Sequence, residues 1–114
     1  ASVPPSVVQV ESHPYLPRED LVSTCHEHGI RVMAHSPLSA PGLLEESVLK
    51  QIAADHGLTS AVVALAWQVA RDVVPIPAST DPEHLVANLA AARLSLTAEE
   101  RARISELADP EFER

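Results

Sequence analysis

The chain has 114 residues, 46% of them hydrophobic and 21% charged, with 16 acidic against 8 basic side chains and a formal net charge of −8. That length allows one core and no second domain, and the apolar content excludes a disordered chain. With no basic patch to offset it, the acidic balance excludes nucleic acid and anionic membrane surfaces as partners, and no apolar run approaches a membrane span.

The first ten residues, ASVPPSVVQV, lack the basic start and long apolar stretch of a signal peptide, and Cys25, the only cysteine, can form no internal disulfide. A cytoplasmic protein stabilised by packing alone is expected. SVVQVE reads as a β-strand, and HPYLP then breaks it with two prolines that cannot join a ladder. From Arg18 onward, Leu21, Val22 and Cys25 fall at helical spacing, and Gly29 supplies the left-handed stop. IRVMAHSPL repeats the strand-and-loop pattern. LLEESVLKQIAADHG predicts one continuous helix ending at Gly57. Thr59 or Ser60 can cap the next helix, SAVVALAWQVAR, whose near-continuous apolar character predicts burial on most sides. VVPIPAS is the third strand, followed by a helix with Asp81 as N-cap and Pro82 at its first position. LSLTAEERARISELAD supplies the last helix, with Thr97 and Glu100 at capping-box spacing.

Strands that alternate with helices and are continuously apolar predict parallel pairing with right-handed crossovers, an α/β class. Three parallel strands with flanking helices leave two raw sheet edges, which favour self-association. The six histidines give no metal site: His26 and His28, two apart on a helix, face different ways, and the others are scattered. His28 and His56 precede helix-ending glycines, where positive charge suits the dipole. Trp67 and Met33 read most simply as core residues, and Cys25 has no context that would make it a nucleophile.

QVESHPYL, GIRVMAHSPLS, VVALAWQVA and VVPIPASTDPEHLVANL resemble, in order and spacing, the C-terminal part of aldo-keto reductases. The resemblance covers essentially residues 1–114 as a single partial (β/α)8 TIM barrel, strands six to eight. It implies a nicotinamide cofactor held at the C-terminal strand ends. The N-terminal part, which holds the family's catalytic Asp, Tyr, Lys and His, is expected to be absent. Tyr15 matches a loop tyrosine and not the acid, and Lys50 lies on a helix far from any strand end, so no catalytic residue is assigned.

The same resemblance places Gln9 on the nicotinamide carboxamide; by itself Gln9 could equally be a polar side chain satisfied inside a barrel. His35 falls where an aromatic residue stacks on the nicotinamide ring, and its imidazole can stack with less area. Ser36 and Leu38 match the start of the loop along the pyrophosphate, although SPL alone also ends a strand and turns the chain. The brief SAPG that follows predicts no long clasp and easy cofactor release. Ser79, with Thr80 beside it, matches a phosphate-binding serine at a helix start, and Asn88 matches the asparagine on adenine. Ala78 stands where the family has lysine, and His84 where it has arginine, so either NADPH or NADH is expected as cofactor.

The expected parent activity is NAD(P)H-dependent reduction of aldehydes or ketones to alcohols, with this portion binding cofactor and not catalytic alone. A small carbonyl substrate would be taken only if the missing barrel part is supplied. The alternatives are a non-enzymatic redox-sensing or regulatory module, and an incomplete gene product.

Overall fold

A computed structural model of the chain describes residues 6–76, 86 and 90–112. β1 (Val7–Glu11), α1 (Glu19–Glu27), β2 (Arg31–His35), a 3-10 turn (Leu43–Glu45), α2 (Ser47–His56), α3 (Ser60–Ala70), β3 (Val73–Ile76) and α4 (Ala98–Ser105) follow in chain order. The helix start expected at Asp81 lies outside the described residues.

The predicted stops and caps operate locally. Gly29 and Gly57 turn left-handed, at φ 70° and 67°. Each turn lets the following N–H reach back into the helix, Ile30 to the Cys25 carbonyl and Leu58 to that of Ala53, both at 2.8 Å. Thr59, rather than Ser60, caps α3, its hydroxyl accepting from the Val62 N–H at 3.3 Å. α4 carries both halves of the capping box: the Thr97 hydroxyl accepts from the Glu100 N–H at 3.0 Å, and the Glu100 carboxylate from the Thr97 N–H at 2.9 Å. It ends at Ser105, short of the expected stretch, in successive turns.

One expectation needs correction. LLEESVLKQIAADHG is not a continuous helix, because Glu46 is extended, at φ −60° and ψ 131°, between the 3-10 turn and α2. Leu43 is driven fully into the core on one side of the break, and the Glu46 carboxylate is engaged by Tyr15. Tertiary contacts there outweigh helix propensity.

The sheet is parallel with strand order β1-β2-β3. Val8 pairs with Val32, and Val10 with Ala34; Val32 in turn pairs with Val73. These side chains share one face and pack on Leu21, Val22 and Cys25 of α1, with Ile30 alongside. A second, larger core joins α2, α3, α4 and the 3-10 turn through Leu43, Leu49, Ile52, Leu65, Trp67 and Ile104. Trp67 is therefore a core residue as expected, with its indole N–H donating to the Ser105 hydroxyl at 3.1 Å. Met33 is not: it is half-buried on the opposite face of the sheet. Among the described residues no helix is long and apolar enough to cross a membrane.

Candidate functional site

Side chains two apart on a strand share a face, and the register decides which of them meet across strands. Gln9 lies beside Met33, and Glu11 beside His35, which has Ile76 on its other side. Gln9, Glu11 and His35 thus occupy the face turned away from α1, in two rows about 7 Å apart along the strands. Gln9 and His35 are exposed there, as are Val7 and Val74 at 50% and 48%. The face is open, and its C-terminal end carries the polar groups.

Glu11 was not singled out in the sequence, although its spacing from Gln9 on a strand is the signal that could have found it. The buried His13 holds its carboxylate, Nε2–H donating to Oε2 at 3.0 Å. That bond places a proton on Nε2 and leaves the buried Nδ1 without a partner among the described residues. The His13 ring also meets Phe112 edge-on, with centroids 4.6 Å apart.

Just past β2 the chain turns sharply at Ser36, a non-glycine residue at φ 54°. The Ser36 hydroxyl lies 3.3 Å from His35 Nδ1, and its carbonyl accepts from the Ser39 hydroxyl at 3.3 Å. Leu38 packs partly buried against the larger core. His35, Ser36 and Leu38 therefore lie at or just past the C-terminal end of β2, with Gln9 on the same face as His35, midway along β1. Ser79, Thr80, His84 and Asn88 lie outside the described residues.

A cleft of about 360 Å³ sits elsewhere, lined by His26, Gly29, Arg31 and Asp72 among others. The cleft lies between the end of α1 and the starts of β2 and β3, and parallel α/β folds place their chemistry at the opposite, C-terminal strand ends. The open face is the stronger candidate. Among the described residues no group of three His, Cys, Asp or Glu side chains could hold a metal ion.

Residues 1–109 match the sequence pattern of the aldo/keto reductase family. The chain belongs to that family. It is 38% identical to mouse aldo-keto reductase family 1 member A1 over 94% of its own length and 36% of the relative's. An aldo/keto reductase of Synechocystis sp. is 41% identical, over 92% of this chain and 36% of that protein. The chain thus spans a little over a third of the curated aldo/keto reductases that it matches. Among solved structures, a Gox0644 mutant in complex with NADPH superposes with a TM-score of 0.87 at 28% identity, over 98% of this chain and 41% of that one. An aldo-keto reductase from a Medee basin deep-sea metagenome library also gives 0.87, at 30% identity and over 100% and 43% of the two chains. The three parallel strands and their helices therefore correspond to part of a TIM-barrel aldo/keto reductase.

Neither Tyr15 nor Lys50 reaches the open face of this aldo/keto reductase. Lys50 is exposed on α2, and the Tyr15 hydroxyl donates to Glu46 Oε2 at 2.6 Å. Burial pushes the Tyr15 phenol up to about 12, helped by the hydrogen bond to Glu46 and by the charges of Glu46, Glu45 and Asp109. Tyr15 is the only tyrosine, so alkaline absorbance titration reads it alone. The expected midpoint is near 12, against about 10 for an unperturbed phenol. Because the folded value is the higher one, this contribution to stability is whole below about pH 10 and is lost as the pH rises toward 12. A midpoint at 10 in the folded chain would contradict the bond.

Proposed function

We propose that this chain is the C-terminal cofactor-binding portion of an NAD(P)H-dependent aldo-keto reductase that reduces aldehydes or ketones to alcohols. The observation that carries the reading is that Gln9, midway along β1, and His35, at the C-terminal end of β2, share one open face, with Ser36 turning the chain just beyond His35. A primary amide both donates and accepts, which complements a nicotinamide carboxamide, and an exposed imidazole offers a flat surface to its ring. The NADPH complex of the Gox0644 mutant supports the same reading. When bound, the cofactor supplies the hydride; the residues of this chain bind and orient it.

The proton that must reach the carbonyl oxygen needs a donor elsewhere, since the Tyr15 phenol is held by Glu46 and Lys50 faces outward. The segment by itself is therefore inactive, and turnover requires the rest of the barrel. The apolar side chains Val7 and Val74 on the open face support pairing with those strands, or with a second copy when they are missing.

Ser79 and Thr80 would take the adenosine phosphate and Asn88 the adenine, with Ala78 and His84 giving little preference for NADPH. Fluorescence titration with both cofactors tests this. Gln9→Ala should weaken both about tenfold, as loss of a hydrogen-bonding pair does. Ala78→Lys should tighten NADPH alone by about tenfold or more, the worth of a charge-assisted contact. Absence of saturable binding to the wild-type chain, joined to the rest of its barrel, would overturn the reading.

A further inference from the structure

The short segment from Ser36 to Glu46 looks, by length, like a loop free to move, but its far end is held. Gly42 takes φ 79°, and a Cβ placed there would lie 3.8 Å from the Tyr15 hydroxyl. Next to it Leu43 is fully buried, and Glu46 receives the Tyr15 hydrogen bond at 2.6 Å. Tyr15 stands in the tight turn between His13 and Leu16, directly after the strand that carries Gln9 and Glu11.

The same tyrosine also receives the C-terminal segment. Its carbonyl accepts from the Asp109 N–H at 2.9 Å, and the Phe112 ring stacks on it with centroids 6.0 Å apart and planes 26° apart. Asp109 closes its own turn, the carboxylate accepting from the Glu111 N–H and the carbonyl from the Phe112 N–H. Three segments distant in sequence therefore meet at one residue, the strap and the Phe112 ring on its side chain and Asp109 on its carbonyl.

We propose that Tyr15 is a latch: it pins the strap 36–46 at the C-terminal end of the sheet and couples the position of that strap to the docking of the 109–112 segment. Phe112 reaches the site by a second route through His13, which holds Glu11 beside His35. Undocking of the C-terminal segment loosens both the strap and Glu11. Its consequence for cofactor release rests on the reading that Ser36 and Leu38 lie along the pyrophosphate. On that reading Tyr15 is a positioning residue.

Hydrogen exchange of the chain tests the latch without any cofactor. Tyr15→Phe keeps the ring stack and removes only the hydroxyl. It should speed exchange of the Leu43, Glu45 and Glu46 amides about tenfold, the factor for one bond to a charged acceptor, and leave those of Val32 and Ala34 unchanged. Glu46→Gln, with Tyr15 in place, retains an acceptor and should largely keep wild-type exchange. Phe112→Ala should speed the same strap amides and that of Leu16, again without the strands. Less than a twofold change at the strap in Tyr15→Phe, or equal acceleration of strap and strands in Phe112→Ala, overturns the proposal. A parallel stopped-flow measurement of NADPH release, on the chain joined to the rest of its barrel, should show faster release from Tyr15→Phe. If the wild type takes up no NADPH, the cofactor reading fails while the exchange result still decides the latch.

Discussion

Truncation of Trp67 to alanine is expected to lower stability by about 3–5 kcal/mol, enough to unfold much of the population. Trp67 is 2% exposed in the larger core, so the substitution leaves a cavity that α2, α3 and α4 cannot collapse to fill. The Ser105 hydroxyl loses its indole donor, and the Arg71 guanidinium, 4.3 Å from the ring centroid, loses its platform. Trp67→Phe keeps an aromatic face and should cost about 1–2 kcal/mol. Urea unfolding followed by circular dichroism measures both, because the chain has no other tryptophan to report by fluorescence. A loss below about 1 kcal/mol for alanine would mean that this core is not what holds the helices together.

Arg71→Ala is expected to come close, at about 3 kcal/mol, for a different reason. The Arg71 guanidinium donates to the Pro17 carbonyl at 2.6 Å and to Gln68 Oε1 at 2.9 Å, with Ser12 Oγ at 3.4 Å and Glu19 at 3.6 Å. Burial lowers its pKa and Glu19 opposes that shift, yet a guanidinium stays protonated at any pH the fold survives. Without it, the Pro17 carbonyl and Gln68 Oε1 lose their charged donor, each worth about 1–3 kcal/mol. Gln68, fully buried, also donates to the Ser12 carbonyl at 3.0 Å, so the loop after β1 hangs from α3 by this one cluster. Arg71→Met, which keeps the stem over Trp67, should recover only part of the loss. Since Arg71 and Trp67 touch, the double variant should lose less than the sum of the two single losses.

Much of the architecture was legible because each signal acts within a few residues. The left-handed glycines at 29 and 57, the Thr59 cap and the Thr97–Glu100 box need no distant partner. The break at Glu46 was hidden for the opposite reason: LLEESVLK has helical periodicity throughout, and what bends it is a tyrosine 31 residues away. The Arg71 cluster joins residues 54 and 59 positions apart and leaves no local pattern. For the site, alternation alone places Gln9 and Glu11 together, but only the register of β1 on β2 sets Glu11 beside His35. His13 read as part of a proline-rich loop, because a sequence does not show a buried imidazole bridging a carboxylate and an aromatic edge.

The two separate cores imply two different free energies of sub-global opening. Among the described residues the cluster beneath the sheet has five buried members, Val22, Cys25, Val32, Ala34 and Val73, all small or medium in size. The helical cluster contains, again among the described residues, Trp67 and four fully buried leucines and isoleucines, Leu43, Leu49, Ile52 and Ile104. Hydrophobic stabilisation scales with the area removed from water, so α1 and the strands let go before α2, α3 and α4 do. Gln9, Glu11 and His35 are thus mounted on the less secure half of the molecule, while the latch that steadies the strap is anchored in the more secure one. Work done by a ligand on the strands is resisted chiefly across that seam.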